Sequence, residues 1–341
     1  MSLQQSLPWT KSPLVINAPM GGIAGADLAM AVSKAGALGQ IGGVNDLKDL
    51  EAQLTKVEEG LGRENGLLPI GIGLLSFILK SDNVLPLLQR FRPAVVWLFA
   101  AHKFEDYAVW ARKVRQASPQ SQVWIQVGSV EGALKIATNA RPEVMCIQGL
   151  DAGGHGFEKG AGIISLLPEV SDALQAAGHS ISLVAAGGIA DGRGAAAAFA
   201  LGAHGVVLGT RFLAATETDV HPKYRAAVLA ATDGGQATVR AKLFDELRGP
   251  NQWPVLYDGR SLRTESFADH EGGVGIDEIR DRHREAVKLG DAGYGENGKG
   301  RAATWAGTGV GLVRKEQSAA DMVEEVRDGI VAALDAVKAR L

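Results

Sequence analysis

One stretch of the chain gathers the residue types that proton-transfer chemistry needs. Gln148-Gly149-Leu150-Asp151-Ala152-Gly153-Gly154-His155-Gly156 sets a histidine among glycine and alanine, directly after the apolar run Val144-Met145-Cys146-Ile147. Imidazole takes and returns a proton near neutral pH. Neighbours with little or no side chain let backbone amides approach a planar or anionic ligand closely. The stretch therefore reads as the floor of an active site with a base standing in it. The rival role for His155, a loop-stabilising hydrogen bond, has little around it to stabilise. Asp151 is a candidate to orient His155 and fits a solvated loop carboxylate equally well. His102, after Phe99-Ala100-Ala101, suits either a pocket wall or the surface, and His221, before Pro222, marks a helix start.

The elements that must position these residues follow from periodicity. Short apolar runs at 14–18, 38–41, 68–73, 95–99, 123–127, 144–148, 182–186 and 205–208 read as strands. Helical patterns lie between them at 27–35, 46–59, 84–90, 104–117, 130–139, 166–177 and 191–201, and another follows at 222–231. Strands alternating with helices indicate parallel pairing through right-handed crossovers. Eight such units predict an α/β fold, a closed (β/α)8 TIM barrel, with an open doubly wound sheet as the alternative. After Thr232 the pattern breaks. Residues 240–341 hold Pro250, Pro254, a glycine-rich loop from Gly290 to Gly300 and an amphipathic helix over 319–341. They are expected to pack near the barrel mouth and complete the domain that residues 1–239 begin.

Functional residues of such barrels sit at the C-terminal ends of the strands. Those ends read Asn17-Ala18-Pro19-Met20-Gly21-Gly22, Gly71-Ile72-Gly73, Gln126 with Gly128-Ser129, Gln148 with the His155 stretch, Ala186-Gly187-Gly188-Ile189, and Gly209-Thr210-Arg211. Glycines after the last two strands expose amides beside a helix start near Asp191, a setting that favours a phosphate. With a phosphate held there, Met20, Gly73, Gln126 and Gln148 line a flat pocket across the mouth. A flavin ring needs hydrogen-bonding groups along its edges and apolar contact on one face, which two glutamines and a methionine supply.

Taken together, Asn17-Ala18-Pro19-Met20, Gln148 to Gly156, Ala186-Gly187-Gly188-Ile189-Ala190-Asp191-Gly192-Arg193 and Leu208-Gly209-Thr210-Arg211-Phe212 resemble the nitronate monooxygenase family, formerly 2-nitropropane dioxygenases. The resemblance runs from about Leu14 to Ala231 and includes Trp305-Ala306-Gly307-Thr308-Gly309-Val310-Gly311-Leu312. It implies an FMN-dependent (β/α)8 barrel that oxidises alkyl nitronates or nitroalkanes with dioxygen to carbonyl compounds and nitrite. It also implies that Gly187, Gly188, Gly209 and Thr210 hold the FMN phosphate. Met20, Gly21, Gln126, Gln148 and Gly154 then contact the ring and ribityl chain, with Ala18, Gly73 and Gly153 beside them, and His155 is the catalytic base. Some relatives carry lysine at Gln126 and asparagine at Gly73, so the potential of the flavin is expected to be lowered here. The runner-up is an NADH- or NADPH-dependent quinone or enoyl-thioester reductase of the same flavin-barrel superfamily.

Composition removes other classes. The net charge of −3, with 35 basic and 38 acidic residues, gives no reason to expect nucleic acid or an anionic membrane as partner. The longest uncharged apolar stretch, 66–79, is too short to span a bilayer and contains Pro69. A single cysteine, Cys146, excludes an intramolecular disulfide and reads as a core residue on a strand. No metal is expected, a homodimer is left open, and the expected location is cytoplasmic. The terminal Ala339-Arg340-Leu341 also resembles a peroxisomal tripeptide.

Overall fold

In a computed structural model that describes residues 3–43, 46–295 and 300–341, parallel pairing joins eight strands into one sheet. The strands are β1 (Val15–Asn17), β2 (Gln40–Gly43), β3 (Leu68–Leu75), β4 (Pro93–Phe99), β5 (Gln122–Val127), β6 (Val144–Gln148), β8 (Ser182–Ala186) and β9 (Gly205–Leu208). A further strand, β7 (Gly154–Phe157), falls between β6 and β8 in the chain but belongs to another sheet. The barrel order is β1-β9-β8-β6-β5-β4-β3-β2, so β1 and β2 must meet for the sheet to close. They meet through parallel bridges at Ile16–Leu38 and Gly21–Gly42. The Asn17 carboxamide continues the ladder: its Oδ1 accepts from the Gln40 amide at 2.8 Å and its Nδ2 donates to the Gln40 carbonyl at 2.9 Å. A buried side-chain amide here does the work of a peptide group, and it selects the barrel over the open sheet.

The strands are buried along almost their whole length, as parallel strands covered by helices must be. The helices supply the outer layer through one apolar stripe each. In helix Leu47–Leu61 the buried residues Leu50, Leu54 and Val57 recur at helical spacing, and the Asp46 carboxylate caps its start. Cys146 lies buried in β6, where burial pushes its thiol pKa up.

Several boundaries differ from expectation by a few residues. β2 begins at Gln40 because Leu38 makes only the isolated bridge to Ile16. β3 runs on to Leu75, and β4 starts at Pro93. The expected glycine-rich loop around His155 is instead partly a strand, β7.

After the barrel come β10 (Thr238–Ala241) and β11 (Tyr257–Leu262), and the small antiparallel sheet runs β10-β11-β7. The chain beyond the barrel is thereby pinned to the stretch that follows β6. It carries a separate apolar cluster of Leu243, Phe244, Leu247, Phe267 and Ile279. Of the glycine-rich loop expected over 290–300, residues 290–293 form a short 3-10 turn, and 296–299 lie outside the described residues. The last helix, Ala319–Lys338, packs on helix Gly192–Ala200, and its Arg327 donates to the Ala35 carbonyl at 2.8 Å. Among the described residues, no helix is long and apolar enough to cross a membrane.

Candidate active site

The C-terminal strand ends surround a cavity of about 340 Å³, within the roughly 300–1,000 Å³ usual for small-molecule sites. Ala18, Met20, Gly21, Gly73, Gln126, Gln148, Gly153, Gly154, His155, Gly187, Gly188, Gly209 and Thr210 all line it. The strand-end residues expected to hold the cofactor and the base thus face one space, whereas Asn17, Gly22, Gly71, Ile72, Gly128, Ser129 and Arg211 do not line it. Among the described residues the lining contains no Asp, Glu, Lys or Arg. Arg211, next to Thr210, is turned away and donates to Glu325 and Gln317 of the C-terminal region at 3.1 Å each.

At one end the cavity is walled by backbone. Gly187 and Gly188 have φ of +106° and +73°, in the left-handed region that disfavours side chains. The amides of Gly187, Gly188 and Gly209 make no hydrogen bond among the described residues. The Thr210 hydroxyl accepts from the Gly307 amide at 2.9 Å, which leaves its own hydrogen to donate. The helix start near Asp191 serves differently from expectation. The Asp191 carboxylate caps helix Gly192–Ala200, accepting from the amides of Arg193 and Gly194 at 2.9 and 3.2 Å. The glycine turn's free donors thus sit beside a helix start whose second and third amides are already taken by Asp191.

Across the middle, two glutamine amides are oriented in opposite senses. Trp97 Nε1–H can only donate, and it gives its hydrogen to Gln126 Oε1 at 3.0 Å, which leaves the Gln126 NH₂ as the remaining donor. Gln148 Nε2 donates to the His155 carbonyl at 3.0 Å, and its Oε1 is buried without a partner among the described residues. Gly73 has a packing reason of its own: a Cβ there would lie 2.4 Å from Pro19 Cβ, so the glycine lets the first strand end close on the third.

The other end is built from side chains. His155 sits on β7 opposite Gly259 of β11, and its Nε2 lies 2.6 Å from Asp245 Oδ1. Its ring stacks on Trp253 at 3.6 Å and 6°, with Trp305 tilted against it at 4.7 Å. Trp253 and Trp305 both line the cavity. Tyr224 joins them, donating its hydroxyl to the Trp305 carbonyl at 2.9 Å; burial pushes its pKa up.

Asp151 does not orient His155. Its Oδ1 accepts from the Thr308 hydroxyl at 3.0 Å and its carbonyl from the Thr308 amide at 2.9 Å, so it ties the tail to the barrel. His102 is exposed, edge-on to Phe77, and is not part of the lining. His221 does cap a helix, accepting from the Lys223 amide at 3.2 Å. Asp245 and Tyr224 have no signal in the sequence, because each reaches the site from an element far away along the chain.

A model of the nitronate monooxygenase family matches residues 6–82 and 111–329. The chain is 46% identical to nitronate monooxygenase npaC of Metarhizium robertsii over 100% of its own length and 97% of that protein. It is 38% identical to a nitronate monooxygenase of Neurospora crassa, over 96% of this chain and 91% of that one. Among solved structures, FabK from Thermotoga maritima shares the fold with a TM-score of 0.78 at 23% identity, covering 100% of this chain and 99% of that one.

Proposed function

The chain belongs to the nitronate monooxygenase family of oxidoreductases, and from that premise we propose that it binds FMN and oxidises alkyl nitronates and nitroalkanes with dioxygen to carbonyl compounds and nitrite. The observation that carries the reading is that a histidine, two oppositely oriented amides and a turn of free backbone amides share one cavity. The residues fit the group. Gly187, Gly188, Gly209 and Thr210 offer donors to a phosphate without any cation in the lining. Gln126 brings a free NH₂ and Gln148 an unpartnered carbonyl oxygen, the complementary pair that an edge of alternating donors and acceptors needs. Met20 supplies a polarisable contact for a ring face.

Bound FMN would supply the one-electron chemistry with nitronate and dioxygen. The protein's part is proton transfer and positioning. His155 would take the α-proton of a neutral nitroalkane: the C–H bond breaks, its electron pair moves onto the nitro group, and the proton goes to the imidazole. A substrate that arrives already ionised does not need this step. Trp253 and Trp305 pack against the imidazole and fix its plane.

The test is to record the visible spectrum of the purified protein, then oxygen uptake and nitrite release with ethyl nitronate. A yellow protein that consumes oxygen and releases nitrite supports the reading. A yellow protein inert to nitronate but bleached by NADH or NADPH without oxygen overturns it in favour of the reductase.

A further inference from the structure

We propose that Asp245 is the positioning residue for His155, and that the basic atom of the site is therefore imidazole Nδ1. The inference rests on His155 being the base, as read above. Asp245 lies on the short helix Leu243–Glu246, beyond the barrel, and its side chain is 5% exposed. Its Oδ1 stands 2.6 Å from His155 Nε2. A carboxylate only accepts, so in the neutral imidazole the hydrogen sits on Nε2 and the lone pair on Nδ1. Nδ1 makes no hydrogen bond among the described residues, and the ring belongs to the cavity wall. Stacking on Trp253 fixes the ring plane, so the contact sets both tautomer and direction.

A structural peg would not need this carboxylate. Burying a charge is costly unless it is fully paired. Yet Asp245 Oδ2 is buried with no partner among the described residues, so the imidazole contact is what the group has. The other charged groups on neighbouring elements are engaged elsewhere. Arg240 and Asp258 bond each other at 2.9 Å, Arg260 donates to the Leu150 carbonyl at 3.2 and 3.1 Å, and Asp151 is held by Thr308. Tyr224, the remaining titratable group in the lining, is bonded to the Trp305 carbonyl. When Nδ1 gains the substrate proton, Asp245 Oδ1 stays against the Nε2–H of the imidazolium, so the pair that sets the tautomer also holds the protonated ring.

Two measurements test it. The first is ¹⁵N NMR of histidine-labelled protein, with the His155 signal assigned by its loss in His155→Asn. Neutral His155 should carry its hydrogen on Nε2; a hydrogen on Nδ1 would overturn the assignment, whatever the enzyme's activity. The second compares Asp245→Asn and Asp245→Glu with nitroethane and ethyl nitronate across pH. For Asp245→Asn, kcat/KM with nitroethane should fall about 10²-fold and with the nitronate far less. The nitroethane pH profile should change while the nitronate profile does not, and Asp245→Glu should restore part of the loss. Equal losses on both substrates with an unmoved pH profile would reduce Asp245 to a structural peg. If wild type turns over neither substrate, the functional reading fails, while the NMR result still decides the Asp245–His155 contact.

Discussion

The two ends of the cavity are made differently. At the glycine end the working groups are backbone amides, presented by turns that follow β8 and β9 directly. At the histidine end the working groups are side chains, and the imidazole on β7 is held by Asp245, Trp253 and Trp305 from beyond the barrel. The first end needs only local chain geometry. The second depends on the β7–β11 pairing bringing a distant segment into register. A barrel strand end can thus present free amides by itself, whereas an imidazole of defined direction needs a second piece of chain.

Breaking the histidine end should have the largest effect. His155→Asn removes the base, so turnover of nitroethane should drop by roughly 10²–10⁴-fold, with ethyl nitronate much less affected. Oxygen-electrode kinetics on both substrates measure this, and equal turnover of nitroethane by variant and wild type would sink the base assignment. The flavin content should stay near that of wild type, because among the described residues no hydrogen bond joins His155 to Gly187, Gly188, Gly209 or Thr210.

At the glycine end the effect should be on binding. Gly188→Val places a β-branched residue at φ +73°, with its Cβ 3.0 Å from Asp151 Cβ, a conformation costing roughly 1–3 kcal/mol. The purified variant should carry less FMN and should melt at lower temperature. Cofactor released by heating, quantified by absorbance, checks it. Full occupancy would mean that the turn does not hold the phosphate.

The same contrast explains what could be read in advance. The three strands β6, β8 and β9 stand where their apolar runs lie, and the glycine turns after them line the cavity, because both are encoded within a few residues. Asp245 carries no local mark: it sits in a four-residue helix and owes its place to pairing across the chain. For the same reason Asp151, near His155 in sequence, reads equally as a group that orients it or as a solvated carboxylate, and is instead bonded to Thr308. β7 was hidden too, since Gly154-His155-Gly156-Phe157 lacks the branched residues that announce a strand and forms one only against β11.

A smaller effect should separate packing from chemistry within the histidine end. Trp253→Ala removes the ring stacked on His155 at 3.6 Å, an aromatic contact worth about 0.5–1.5 kcal/mol. The KM for apolar nitronates should rise several-fold while the Nε2–H tautomer persists, since Asp245 is untouched. Loss of that tautomer in the ¹⁵N spectrum would show that stacking, not the carboxylate, sets the ring.

The smallest effect concerns the stability of the segment that carries Asp245. His283, on helix Ile276–Lys288, is buried, and burial followed by the charges of Arg248 and Arg301 holds its pKa below the ordinary 6.5. The folded state therefore favours neutral imidazole, and the unfolded state takes up the proton first as pH falls. Its contribution is present above the ordinary value and is lost as pH drops through the folded pKa. Ile279 of the same helix belongs to the cluster with Leu243 and Phe244, which lie on the Asp245 helix itself, so acid should loosen this region before the barrel. Protection against hydrogen exchange at 243–247, corrected for the intrinsic pH dependence of amide exchange, should fall as pH drops below about 6.5, more than in β5 or β6, and His283→Leu should blunt the fall. An equal fall in the barrel strands, or one unchanged by the substitution, would show that this segment and the barrel respond to acid as one unit.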